Sequence, residues 1–195
     1  MTMLEGSKVS VIISAYNRPQ WVGEAIKSVF DSSYKNIEVL VRNSSDPEYF
    51  DDVEAAIRRF PYVKYLHGIN KNCPHSFNEL FKQAVGEYVV HCNDDDAFTP
   101  DLISRMVAEM PYCTLCCVQP LFIDKDSQPF TSDHACHKVP KVVNLPREEW
   151  KIKLYHGTPY IGTTMYRRSL VDQIGMLNEQ LNQISDLDFY IRVCE

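Results

Sequence analysis

Apolar positions along this chain alternate between two rhythms. Val9-Ser10-Val11-Ile12-Ile13 is a short, nearly continuous apolar run rich in β-branched residues, the pattern of a strand covered on both faces. Pro19 then opens a segment in which Val22, Ile26, Val29 and Phe30 recur at i, i+4, i+7 and i+8, which predicts a helix with Pro at its first position. The unit repeats. Ile37 to Val41 reads as a strand, Arg42 to Tyr49 as a polar loop, and Asp51 to Phe60 as a helix burying Val53, Ala56, Ile57 and Phe60. Val63 to Leu66 is a shorter strand.

Ser76 to Val85 places Phe77, Leu80, Phe81 and Ala84 on one helical stripe, and Gly86 stands where a left-handed C-cap residue would sit. Tyr88 to Cys92 is another buried strand, after which Thr99 and Pro100 form an N-cap and first position for a helix burying Leu102, Ile103, Met106, Val107 and Met110. Pro111 ends it. Cys113 to Ile123 reads as a further strand, and Asp124 to Glu149, with little periodicity and several prolines, as a long surface excursion. Gly162 to Tyr166 is a strand, Ser169 to Ile174 a short helix stopped by Gly175, and a last helix beginning near Asp186 carries Leu187, Tyr190, Ile191 and Cys194.

Strand and helix alternate at least four times before residue 111, which predicts an α/β fold with a mainly parallel sheet and helices on both faces. At 195 residues, with no repeat or low-complexity linker, the chain is expected to form one domain. In such sheets ligands bind beyond the carboxyl ends of the strands, here Ser14 to Arg18, Arg42 to Asp46 and Asn93 to Asp96.

Charge narrows the partners. Twenty Lys and Arg against 26 Asp and Glu give a net −6, the wrong sign for a phosphate-backbone footprint, so no nucleic acid is expected. No stretch reaches the roughly 20 apolar residues of a membrane helix, and Met1 to Lys8 lacks the form of a signal peptide. The seven cysteines therefore read as reduced thiols of a cytoplasmic protein. Only seven glycines occur, and neither a GxGxxG fingerprint nor a P-loop is present, which disfavours NAD-type and ATPase chemistry.

Asp94-Asp95-Asp96 is the most informative feature. Three adjacent carboxylates leaving an apolar strand repel one another unless a cation joins them, and Mg²⁺ or Mn²⁺ held by one or two carboxylates would keep positions free for diphosphate oxygens. The bland alternative is a solvated loop favoured by the positive end of the following helix. Tyr16 and Asn17 leave the first strand and Asn43, Ser44 and Ser45 the second, a ring and small polar groups that suit a nucleotide. Asp186 and Asp188, two apart, point in different directions, which makes Asp186 a candidate base. Cys113, Cys116 and Cys117 with His134, Cys136 and His137 form a competing zinc constellation, although Cys113, Leu115 and Cys117 alternate as buried apolar residues do. His67, His75, His91 and His156 fit no catalytic arrangement and read as structural.

Five segments, in order, resemble the family 2 glycosyltransferases. Val9 to Arg18 is similar to their opening strand and turn, and Ala25-Ile26-Lys27-Ser28-Val29 to the helix after it. Asn72, Phe77-Asn78 and Ala84 to Tyr88 resemble the approach to their metal motif, and Asn93-Asp94-Asp95-Asp96 with Pro100-Asp101 the acidic (DXD) motif itself. Gly162 to Gly175 with Arg167-Arg168, and Ser185 to Arg192, resemble the acceptor-side strand and the catalytic-base helix.

The resemblance implies a GT-A fold whose nucleotide part covers about residues 1–111 and acceptor part about 112–195, the catalytic domain of a longer protein. It implies a metal-dependent, inverting transfer from a nucleotide-diphosphate sugar to a saccharide or glycan hydroxyl. Ser14, Tyr16, Asn17, Asn43, Asn78, Asp94 and Asp95 would meet the nucleotide, with Tyr16 stacked on the base and Asp94 at the ribose. Asp95 and Asp96 would ligate Mn²⁺ or Mg²⁺, and Asp186 would be the general base. Two positions depart: Arg42-Asn43-Ser44 replaces the paired aspartates common after the second strand, and Ser185 the glutamate common before the base. UDP is the favoured donor nucleotide, dTDP and GDP stay open, and a non-catalytic nucleotide-sugar or carbohydrate-binding module is the competing reading.

Overall fold

The computed structural model describes residues 6–126, 128–130, 147–154 and 159–195. Six strands and seven helices follow in the order β1 (Val9–Ala15), α1 (Pro19–Phe30), β2 (Ile37–Asn43), α2 (Pro47–Arg58), β3 (Val63–His67), α3 (Cys73–Gln83), β4 (Tyr88–Asn93), α4 (Leu102–Glu109), β5 (Leu115–Cys117), α5 (Arg147–Leu154), β6 (Thr164–Arg167), α6 (Arg168–Ile174) and α7 (Ser185–Val193). They build one sheet in the order β3-β2-β1-β4-β6-β5. β1 pairs in parallel with β2 and β4, and β2 with β3, while β6 runs antiparallel to β4 and β5. The strand order reverses between β1 and β4, so their carboxyl ends part around a crevice.

Alternation along the strands explains the two cores. Val11, Ile13, Val39, Val41 and Val90 face α1, α2 and α4, meeting Val22, Ile26, Val53, Ile57, Ile103 and Met106. Ile12, Leu40 and Val89 face the other way, against Phe77, Leu80 and Phe81 of α3, Leu170 of α6 and Phe189 of α7. Each such side chain, fully buried, contributes roughly 1.5–3 kcal/mol.

Polar residues interrupt the second face at both ends. At the amino end Ser10 donates to Glu38 at 2.5 Å, and Glu38 also accepts from Lys64 and from the Val85 N–H. Burial alone would raise the Glu38 carboxyl; these partners outweigh it and hold it below its usual range. At the carboxyl end Ser14 sits in register between Arg42 and Asn93. The amino-end residues are spent on one another. Those at the carboxyl end open onto solvent, which is where the site forms.

The strand and helix types follow the sequence pattern, and the differences are local. β1 and β2 run two residues further than their apolar runs because parallel pairing continues to Ala15 opposite Asn43, and α2 starts at Pro47, so the Arg42 to Tyr49 segment is mostly strand end and first helical turn. Thr99 spends its hydroxyl on the Asp101 carboxylate, and α4 begins only at Leu102. From Cys113 to Ile123 only Leu115–Cys117 pairs as a strand. Part of the expected excursion is helical: α5 presents Trp150 and Leu154 to the second core, while residues 131–146 lie outside the described set.

Gly86 is not the left-handed cap its position suggests, since Gly175, with φ of 82°, is the one described glycine with positive φ. A Cβ on Gly86 would lie 2.6 Å from the Ser10 nitrogen and 2.8 Å from the Lys8 oxygen. The residue is required by close approach to β1, not by its own conformation. Gly86→Ala is therefore expected to destabilise the chain by roughly 1–3 kcal/mol, read as a lower urea midpoint. An unchanged midpoint would show that this edge of β1 yields freely.

Candidate functional site

A cleft of about 530 Å³ opens at the carboxyl ends of β1, β2 and β4, lined among others by Ser14, Tyr16, Arg18, Ser44, Ser76, Asn93, Asp94, Asp95, Tyr160 and Asn182. Its walls are loops tied together by polar side chains. Asp94, only 2% exposed, accepts the Tyr16 N–H at 2.8 Å on one oxygen and Arg18 Nη1 at 2.7 Å on the other. Arg18 also reaches Asp95 at 3.2 Å. Burial would lower the guanidinium, yet Asp94 and Asp95 outweigh it and hold it above its usual range. For Asp94 itself burial wins, and its carboxyl is raised despite these donors.

Asn17 takes a left-handed φ of 57°, which Asn tolerates better than most residues, and this turns its side chain onto the loop after β2. Its amide donates to Asp46 at 2.7 Å and accepts the Asp46 N–H at 2.9 Å. The Tyr16 hydroxyl donates to the same Asp46 at 2.9 Å, leaving the ring 39% exposed at the cleft mouth.

Asp95 lies between this cleft and a second opening of about 260 Å³ that also touches Trp21, Asp96 and Lys125. Asp96 is the unusual member of the acidic run. Its Oδ2 is buried with no well-aligned hydrogen-bond donor among the described residues, and burial, with Asp95 beside it, pushes the carboxyl up to about 6 although Tyr160 and Asn93, close to the group, favour its charged form. Asn93 donates to the Tyr160 hydroxyl, and Gly162 leaves room for the group, since a Cβ there would stand 2.8 Å from Asp96 Oδ2.

Asp186 lies in the first turn of α7, directly after the Asn182–Ile184 turn; Asn182 lines the cleft, and Asp186 is not part of its lining. Burial raises its carboxyl against the pull of two backbone N–H groups, that of Leu187 at 2.8 Å and its own. Asp188 faces elsewhere: Arg192 holds it at 2.8–2.9 Å and also caps the carbonyls that end α6. Cys73 senses both Asp94 and Asp186; burial first, then these charges, push its thiol up to about 11.

The structure brings Ser14, Tyr16, Asp94 and Asp95 to the cleft, with Asp96 on its far side. It does not bring Asn43 or Asn78 there. Asn43 lies on the other face of β2, fully buried, bonded to the Phe50 carbonyl and the Ser45 N–H. Asn78 anchors the 177–179 loop through Leu177 and Glu179. Asn17 acts on loop geometry rather than on the opening. Ser76 and Tyr160 were not singled out from sequence, and Arg42 was noted only as a departure at the end of β2 with no site role; alternation along β2 was the available signal for its placement, and nothing local marks Tyr160.

No cluster of three or more metal-ligating side chains occurs among the described residues. Cys113 and Cys116 turn their thiols to the Glu109 and Met106 carbonyls, and burial pushes Cys116 up to about 12, so both stay protonated. Their expected zinc partners His134, Cys136 and His137 lie outside the described residues. His91 is a core residue whose Nε2 meets the Tyr166 hydroxyl at 2.7 Å, and His75 pairs with Glu179. No helix among the described residues is long and apolar enough to cross a membrane.

The family model described as "Glycosyl transferase family 2" matches residues 10–175. The chain belongs to glycosyltransferase family 2. An uncharacterised glycosyltransferase of Rickettsia conorii is 35% identical over 101 residues, 52% of this chain and 17% of that protein. The chain thus spans a small part of that relative's length. Among solved structures, TarS 1–349 of S. aureus in complex with UDP-GlcNAc superposes with a TM-score of 0.68 at 19% identity, covering 95% of this chain and 52% of that one. The mannosyltransferase PcManGT of Pyrobaculum calidifontis, in complex with GDP-Man and Mn²⁺, gives 0.63 at 17% identity, covering 89% and 48%. At these identities the likeness establishes the fold, GT-A, and the chemistry rests on the family and the residues.

Proposed function

We propose that this glycosyltransferase domain moves a sugar from a nucleoside-diphosphate sugar to a saccharide or glycan hydroxyl with inversion, the donor lying in the cleft at the ends of β1 and β4. The observation that carries the reading is the buried, unpartnered Asp96 Oδ2 beside Asp95. Such an oxygen is costly unless something cationic completes it, and two adjacent hard carboxylates fit Mn²⁺ or Mg²⁺. Asp95 and Asp96 would hold the ion, which when bound offsets charge on the departing diphosphate.

The remaining roles belong to the chain. The exposed Tyr16 ring offers a face for the base, and Asp94, whose oxygens each keep a lone pair, can accept from a ribose hydroxyl. Asp186, its carboxyl raised by burial and paired with no cation among the described residues, takes the proton from the acceptor hydroxyl. That oxygen's lone pair forms the new bond to the anomeric carbon as the bond to the diphosphate breaks, and attack from the opposite face gives inversion. TarS and PcManGT, solved with UDP-GlcNAc and GDP-Man, support a nucleotide-sugar donor.

Calorimetric titration of UDP, dTDP, GDP and CMP, each with and without Mn²⁺, tests the reading. Binding of one diphosphate that strengthens at least about tenfold with Mn²⁺ is expected. Binding indifferent to the ion would remove Asp95 and Asp96 from the role given them, and binding without any sugar transfer would favour a non-catalytic module.

A further inference from the structure

Arg42 is a cation with no anionic partner among the described residues, enclosed behind Ser44 and Ser76 of the cleft lining. It is 5% exposed, and it donates to Ser44 Oγ, to Ser76 Oγ at 2.9 Å and to the Ile69 carbonyl at 3.2 Å, all neutral groups. Glu79, the acidic residue whose charge it feels, already binds Lys82 at 2.6 Å. Gly68 is shaped around the guanidinium, because a Cβ there would stand 2.6 Å from Nη2. A buried charge satisfied only by hydroxyls and a carbonyl is held at a desolvation cost, and burial lowers its pKa accordingly.

Proton counting shows what this arrangement presents. Both serine oxygens accept from Arg42 and stand 3.0 Å apart, so one hydroxyl donates to the other. The second hydroxyl proton has no acceptor among the described residues, and both serines line the cleft. With a cation directly behind it, that hydroxyl is a polarised donor and a poor place for another donor.

We infer that Arg42, Ser44 and Ser76 form a donor-only subsite that takes an oxygen acceptor from the bound nucleotide, either a keto oxygen of its base or an oxygen of its diphosphate. The inference rests on the nucleotide-sugar reading above and adds a selectivity to it. If the base lies there with its 4-position edge, or the 6-position edge of a purine, toward the serines, the O4 of uracil and thymine and the O6 of guanine bind in preference to the amino groups that cytosine and adenine carry at the same positions. Among the described residues the spare hydroxyl proton meets no acceptor and the charge meets no anion.

The test titrates UDP, CDP and inorganic pyrophosphate at fixed Mn²⁺ into the full chain and into Ser44→Ala and Ser76→Ala. These variants keep the guanidinium and its packing; a thermal melt confirms folding. A base contact gives at least about tenfold tighter binding of UDP than CDP. Either alanine then weakens UDP roughly five- to tenfold, the loss of about one charge-assisted hydrogen bond, and narrows the ratio while pyrophosphate is unmoved. A diphosphate contact weakens pyrophosphate, UDP and CDP alike. Folded alanine variants that bind all three ligands as the parent does would overturn the subsite and leave Arg42 a strut between β2 and Ile69. Preference for CDP, with pyrophosphate binding unmoved by either alanine, would overturn it too. Absence of binding by any nucleotide to the parent chain overturns the nucleotide-sugar reading along with it, which separates the two failures.

Discussion

Asp186→Asn is expected to lower the rate of sugar transfer by roughly 10²–10⁴-fold while nucleotide affinity stays within about twofold of the parent. The amide keeps the volume of the carboxyl and can still accept the Leu187 N–H through its oxygen, so the fold has no reason to change. What is lost is the basicity of a carboxylate oxygen: an amide oxygen accepts a hydrogen bond but does not take up the acceptor proton. Asp188→Asn is the internal control. It sits two residues away on the same helix, but Arg192 spends that carboxylate on holding the end of α6, so its replacement should lower stability and leave turnover per folded molecule intact. Initial rates with saturating donor and acceptor, alongside a nucleotide titration of each variant, make the comparison. Turnover in Asp186→Asn equal to the parent's would remove Asp186 from the mechanism.

The second large effect belongs to Asp96, and it has two signs. Asp96→Asn should abolish the manganese dependence of nucleotide binding, because one of the two carboxylates offered to the ion is gone. The same change should stabilise the ion-free protein. With the folded carboxyl raised to about 6 from the ordinary aspartate value of 3.8, the charged form is the one burial disfavours, so the group's stabilising contribution is fully present below the unfolded value and is lost as pH rises through about 6. The shift of about two units corresponds to on the order of 3 kcal/mol at pH 8, with solvent and relaxation reducing it. Urea midpoints of the parent and Asp96→Asn should therefore diverge above pH 6 and converge below pH 4. For the same reason manganese affinity should fall as pH drops through about 6, since the ion must displace a proton. Midpoints that coincide at every pH would show that Asp96 is not held in an unfavourable charge state, and the case for a cation there would lose its main support.

Several of the site residues were legible because their positions follow from strand ends alone. Ser14, Tyr16, Asp94 and Asp95 leave β1 and β4, and in a parallel sheet with a reversal of strand order those ends must converge. Asn43 misled because the strand continues two residues beyond its apolar run: one more step of alternation sends Arg42 to the cleft face and Asn43 to the face under α2. Asn78 misled differently. Its α3 position is near the cleft, but its amide is consumed by a loop 99 residues away in sequence, and no local pattern announces such a partner.

The sequence by itself determined the alternation of strands and helices, the two buried faces of the central strands, and the acidic run at a carboxyl end. These depend on residue spacing within one element, and hydrophobic periodicity records them directly. Only the tertiary structure decided which carboxylate does what. Asp94, Asp95 and Asp96 are the same residue type in consecutive positions, yet Arg18 and the Tyr16 N–H take up the first, solvent and Arg18 share the second, and the third is buried with an oxygen unmatched. Arg42 acquires its place in the same way, since only the packing of β2 against the Ile69 loop and α3 encloses it without an anion. Desolvation and charge pairing arise from what distant segments bring to a group, and so they appear only once the chain is folded.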